Sequence, residues 1–148
     1  MNRPLQGELS DALGAVLSDM QQAITQLTQV LENERTALNA GNSDALGEAG
    51  ASKQKLMLQL EQLDAERQQL SREAPAAAAR LDATWSQVLL ALRRCQQLNQ
   101  SNGRAVNQRL GQVRQALSVL TGHAGETGLY GPTGGLRGSL RSQVLAQA

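Results

Sequence analysis

The side chains able to do chemistry are few and far apart. His123 is the only imidazole and Cys95 the only thiol. A metal site needs clustered ligands, and a nucleophilic Cys–His pair needs mutual hydrogen-bond reach. Twenty-eight residues of mostly helical pattern separate these two. Cys95 falls at an apolar position and reads as a small core residue. His123 lies just past a helix end, where an imidazole caps carbonyls and meets the negative end of the dipole. Asp64 with Glu66, and Glu32 with Glu34, read as carboxylates on solvated faces of a chain without a pocket. Gly131-Pro132-Thr133-Gly134-Gly135 has the glycines of a phosphate loop but lacks a following Lys-Ser or Lys-Thr and a preceding strand. Arg93-Arg94 has no interleaved aromatics to grip single strands, so nucleic acid is not expected. No metal, cofactor or catalytic constellation is expected, and the chain reads as a non-enzyme.

Composition points the same way. The 148 residues suit one domain, with a formal charge of +1. There is no Phe, one Trp and one Tyr, so a thick aromatic core is excluded. Thin helical bundles need only aliphatic seams. The longest wholly apolar run, Val88 to Leu92, is far short of the ~20 residues that span a bilayer. The N-terminus has no apolar stretch of signal-peptide type, and a single cysteine fits a reducing cytosol. A cytoplasmic location is expected.

The spacing predicts an all-α fold, an antiparallel bundle of three long helices over about 5–40, 43–72 and 76–121. In the first, Leu13, Met20 and Leu27 recur every seven residues, with Leu17, Ile24, Leu31 and Leu38 interleaved on the same stripe. Glu34 interrupts that stripe. Gly41 supplies a left-handed cap, and Asn42 or Ser43-Asp44 can accept from the free N–H groups of the next helix. The second seam is Leu46, Ala49, Lys53, Leu56, Leu60, Leu63, Arg67 and Leu70. Lys53 and Arg67 are expected to lay their stems on it and lift their heads into water. Pro75 opens the third helix as one continuous rod. Its seam runs through Leu81, Trp85, Val88, Leu92, Cys95, Asn99, Asn102 and Val106, then Leu110 or Arg109, Val113, Leu117 and Leu120. Trp85 should anchor the bundle end near the second loop. Asn99 and Asn102 form either a register-setting polar layer, the favoured reading, or a recognition spot.

Length then matters. At 1.5 Å per residue the second helix spans roughly 45 Å and the third roughly 69 Å. The surplus, residues 107–121, presents Leu110, Val113, Leu117 and Leu120 without cover from the second helix. Such a stripe marks an interaction site, with homodimerisation or curvature of the bundle as the alternatives. Beyond it, residues 122–148 form a second region, a Gly-rich arm holding seven of the fourteen glycines and ending in an amphipathic segment, 136–148. Leu136, Leu140, Val144 and Leu145 lie at helical spacing there. The segment is too short to be stable alone, and either folds back on the surplus stripe until a client displaces it or is a terminus without a role. Tyr130, held among glycines, is either a plug for a neighbouring groove or an anchor for a partner pocket.

Cys95-Gln96-Gln97-Leu98-Asn99-Gln100-Ser101-Asn102-Gly103 resembles the Asn-x-x-Asn-Gly segment of the FlgN-type flagellar export chaperones. Leu129-Tyr130-Gly131-Pro132-Thr133-Gly134 resembles their C-terminal Tyr-Gly-x-x-Gly segment. The 31–38 and 53–57 stretches and Trp85 fit in the same order, so the resemblance covers nearly the whole chain. It implies a cytosolic chaperone of the flagellar type III export system. Such a chaperone binds helical C-terminal parts of the hook–filament junction proteins FlgK and FlgL, prevents their premature association and delivers them to the export gate FlhA. Membrane contact would be peripheral, through that gate. The family's C-terminal region carries client binding, and its tyrosine, here Tyr130, contributes to gate docking. Leu110, Val113, Leu117 and Leu120, with Leu136, Leu140, Val144 and Leu145, are the client-binding residues expected from the stripes. A weak homodimer through the same stripe is compatible with this. The alternative is a structural coiled-coil scaffold using the same heptads for permanent self-assembly.

Overall fold

The computed structural model describes residues 3–121, with side chains over 5–119. The arm with His123, Tyr130 and the 136–145 stripe, and the Leu120 side chain, lie outside the described residues. The described chain is all-helical. Helix α1 spans Arg3–Ala40, α2 Ser43–Glu73, α3 Pro75–Arg80 and α4 Asp82–Thr121.

Two of these boundaries follow from local chemistry. Gly41 ends α1 at φ 66°, the left-handed region that suits glycine. The N–H of Asn42 closes the cap on the Ala37 carbonyl at 3.0 Å. Asn42 itself opens α2, its Oδ1 accepting from the Ala45 N–H at 3.1 Å. Of the two candidate caps, the asparagine is the one used. Two residues thus connect α1 to α2, and the pair folds back on itself.

The third rod is not continuous. Pro75 does open a helix, but Leu81, at φ −95° and ψ 10°, separates α3 from α4. The backbone bonding survives the bend. The Leu81 N–H donates to the Ala77 carbonyl at 3.0 Å, and its own carbonyl accepts from Trp85 N–H at 2.9 Å. The short α3 presses Ala77 into the core, and Asp82 places a carboxylate in the first turn of α4, at the positive end of its dipole.

Helix α1 is the middle element, packed along α2 on one side and α3 and α4 on the other. This explains why its buried stripe is wider than the seven-residue seam. Leu13, Leu17, Met20, Ile24, Leu27, Leu31 and Leu38 are all buried as their spacing requires, and Val16, Ala23 and Ala37 join them. Among the described residues, α2 and α4 nowhere approach within 8 Å between Cα atoms. Long side chains bridge them. Cross-bonds between α1 and the third rod run from Ser10–Arg80 through Thr28–Cys95 and Asn102–Leu31 to Arg109–Asn39. Both partners advance together, so α1 and α4 run parallel at an offset of about seventy residues.

Candidate partner-docking site

Two features of this frame bear on function: a buried polar layer, and the end of α4 beyond it.

Three expectations are corrected here, two of them within the layer. Lys53 does not lift its head into water. Its Nζ donates to both Glu34 oxygens, at 3.0 and 2.8 Å, and to Asn99 Oδ1 at 3.0 Å. The side chains of this ion pair are only 5% and 7% exposed. Glu34 is therefore not on a solvated face. Asn102 Nδ2 donates to the same carboxylate at 2.9 Å and to the Leu31 carbonyl at 2.8 Å. Its Oδ1 accepts from Arg35 Nε at 3.0 Å, and Arg35 also donates to Ser101 Oγ. Glu34, Lys53, Asn99 and Asn102 thus join all three rods at one level. The cause is the open seam between α2 and α4. It leaves room that a lysine from one side and asparagines from the other fill, and Glu34, Arg35 and the Leu31 carbonyl of α1 satisfy most of their polar groups.

The third correction concerns Asp64 and Arg67. Asp64 is buried, accepting from Arg67 Nε at 2.7 Å and Gln68 Nε2 at 2.8 Å. The Arg67 guanidinium lies 3.8 Å over the Trp85 ring instead of standing in solvent. Trp85 is half-buried, packed against the core. Glu32 and Glu66, by contrast, are exposed. Cys95 is fully buried, its Sγ 3.2 Å from Thr28 Oγ1. Burial pushes its thiol above the ordinary range, against a smaller opposing effect of the Thr28 hydrogen bond. It should therefore react with a thiol reagent only as fast as the chain opens. Native labelling much slower than labelling in urea is the expected result. Labelling at the free-thiol rate would show that the seam is open. Among the described residues no three His, Cys, Asp or Glu side chains come together as a metal site.

Beyond the layer the rods end at different levels. On the offset set by Arg109–Asn39, the last residue of α1 lies level with about Leu110. The following three turns of α4 extend past it. Arg109 marks the edge, its Nη2 3.4 Å from the Asn39 carbonyl near the α1 C-terminus. Leu110 is 36% exposed, Val113 54% and Leu117 51%. Val119, absent from the expected set, is 79% exposed. Spacing does not single it out because it lies off the seam that carries the others.

At the root of this overhang is a groove of about 220 Å³. Leu38 and Leu46, from the two sides of the α1–α2 turn, face Val106, Leu110 and Val113 of α4 across it, with Arg109 beside them. That volume is below the ~300–1,000 Å³ usual for small-molecule sites. It suits one or two apolar side chains of a docking helix. Sequence spacing located the α4 half of this surface. Spacing does not reveal the α1–α2 half, because Leu38 and Leu46 fit internal seams, whereas Leu46 is only half-buried.

No helix among the described residues is long and apolar enough to cross a membrane. No curated protein and no solved structure matches this chain. The sequence profile of one family, described as FlgN protein, matches residues 1–138. That span includes the layer built by Asn99 and Asn102, the α4 overhang and Tyr130. A helical frame, an exposed apolar end and a match over nearly the whole length agree, and the chain belongs to the FlgN family of flagellar export chaperones.

Proposed function

We propose that this chaperone binds the helical termini of hook–filament junction proteins of the FlgK and FlgL type. It holds them apart until export and presents them to the gate protein FlhA at the cytoplasmic face of the membrane. The observation that carries this reading is the overhang, where Leu110, Val113 and Leu117 stand exposed beside an apolar groove. A client with an amphipathic helix completes that surface by helix-in-groove burial. Leu120, and Leu136, Leu140, Val144 and Leu145 of the arm, extend the same contact. Tyr130 docks at the gate. Binding and release are then exchange between competing apolar surfaces and need no cofactor or bond-breaking chemistry.

The test is direct. Purified chain is titrated with a FlgK- or FlgL-type protein and with the soluble part of FlhA, with sizing of each mixture. The expected result is a defined complex with the junction protein from a chain that alone is a monomer or weak dimer. Tyr130→Ala should keep client affinity and weaken gate docking. A concentration-independent oligomer indifferent to clients would favour the scaffold reading. Client binding lost in Tyr130→Ala would end the separation of roles.

A further inference from the structure

The net charge of +1 hides an uneven distribution. Asp82 is the last carboxylate before Glu126, and between them fall Arg93, Arg94, Arg104, Arg109 and Arg114. The long outer helix is thus basic over its whole exposed length. At 100° per residue, Arg109 and Arg114 stand on opposite edges of the Leu110–Val113–Leu117 stripe. Arg109 lines the apolar groove. Arg114 is half-buried, with its Nε shielded from solvent and without a hydrogen-bond partner among the described residues. A buried N–H of that kind is costly until an acceptor reaches it, and a carboxylate is the acceptor a guanidinium binds best.

We infer that the overhang of α4 is a receptor for an acidic amphipathic helix. The partner's apolar stripe lies on Leu110 and Val113 and its flanking carboxylates meet Arg109 and Arg114. This rests on the proposed client-binding role and specifies the chemistry of the client segment. Charge also decides against the chain's own arm as occupant. The 136–148 segment carries Arg137 and Arg141 and no acidic side chain, so it would bring like charge to the same edges. A second copy presenting the same basic stripe is disfavoured for the same reason.

Two synthetic helical peptides of about twenty residues test this. Both carry the same leucine stripe, one flanked by Glu and the other by Lys, and each is titrated into the full chain by fluorescence anisotropy at low and high salt. The Glu peptide should bind at least tenfold more tightly, and its advantage should shrink with salt. Arg109→Gln with Arg114→Gln should remove most of that advantage while leaving helical circular dichroism intact. Equal affinity for the two peptides, or a preference for Lys, overturns the inference. So does competition by homopolymeric RNA as strong as that by the Glu peptide, or a stable dimer that occupies the stripe. The two levels separate cleanly. If junction proteins bind but the peptides do not differ, the chaperone reading stands and the acidic specificity falls. If the Glu peptide binds through both arginines while junction proteins do not, the receptor stands and the client assignment falls.

Discussion

Replacing Lys53 by methionine should lower the unfolding free energy by about 3–5 kcal/mol. Methionine keeps the stem but removes the ammonium, and the Glu34 carboxylate is then left buried with its Asn102 donor and without its counter-charge. Asn99 loses its donor to Oδ1 as well. Against a total of about 5–15 kcal/mol for a typical domain, that is a large fraction. Removing both charges together, as Glu34→Leu with Lys53→Met, should recover much of the loss. Desolvation of the ion pair then disappears along with its attraction. Recovery should be incomplete, because buried Asn102 keeps its bonds to the Leu31 carbonyl and Arg35 but has an N–H whose carboxylate acceptor has gone, at about 1–3 kcal/mol, and half-buried Asn99 loses its donor. Urea unfolding followed by circular dichroism reads both effects as midpoint shifts at constant slope. A Lys53→Met chain within about 1 kcal/mol of the parent would mean that the ammonium reaches water in solution.

Val113→Ser with Leu117→Ser should weaken junction-protein binding about 100-fold, while the free chain stays folded with a stability loss of no more than about 1.5–3 kcal/mol. Both side chains are half-exposed in the free chain, so folding gains only part of what their full burial offers. A docking helix would collect the rest. Full burial of a side chain of this size is worth about 1.5–3 kcal/mol, so the exposed halves together amount to about 1.5–3 kcal/mol, the upper end applying to a well-packed docking helix. That upper end corresponds to roughly a hundredfold in affinity. Isothermal titration against a FlgK- or FlgL-type client, beside a thermal melt of the free variant, measures the two sides. Loss of stability with unchanged affinity would assign the stripe to the fold and remove it from the docking surface.

These two results address different parts of one rod. The polar layer holds α4 at a set height against α1 and α2, and that height decides how many turns emerge beyond them. A slip of one helical turn between the rods would break the bonds of Asn102 to Leu31 and Glu34. It would also move Leu110 and Val113 relative to Leu38 and Leu46, which close the groove with them. Buried amides specify register in this way because an apolar layer tolerates displacement, whereas a charge and its donors have few satisfactory arrangements.

How much of this was legible beforehand differs by element. The helical class, the near-exact ends of α1 and α2, the Gly41 cap and the core face of α1 follow from local rules. Apolar spacing at three and four, one glycine at a left-handed position and one asparagine before a run of helix formers act over a few residues. Neighbours elsewhere in the chain cannot easily override them. That the helical stretch after Pro75 outruns α2 was legible as well, since rise per residue converts sequence length into distance, but its division at Leu81 was not.

Other features depended on what stood opposite. A lysine on a seam is as compatible with a solvated head as with a buried ion pair. Only the gap between α2 and α4, and Glu34 facing it from α1, placed Lys53 inside. Asp64 became buried because Arg67 turned from solvent onto Trp85, a choice made by an aromatic eighteen residues away. The bend at Leu81 and the groove between the α1–α2 turn and α4 belong to the same class. Periodicity states which face of a helix is apolar, and therefore established the rods and their stripes from the chain alone. Which polar groups may be buried on such a face is settled largely by partners distant in sequence, because the cost of desolvating a charge is offset only where a complementary group faces it.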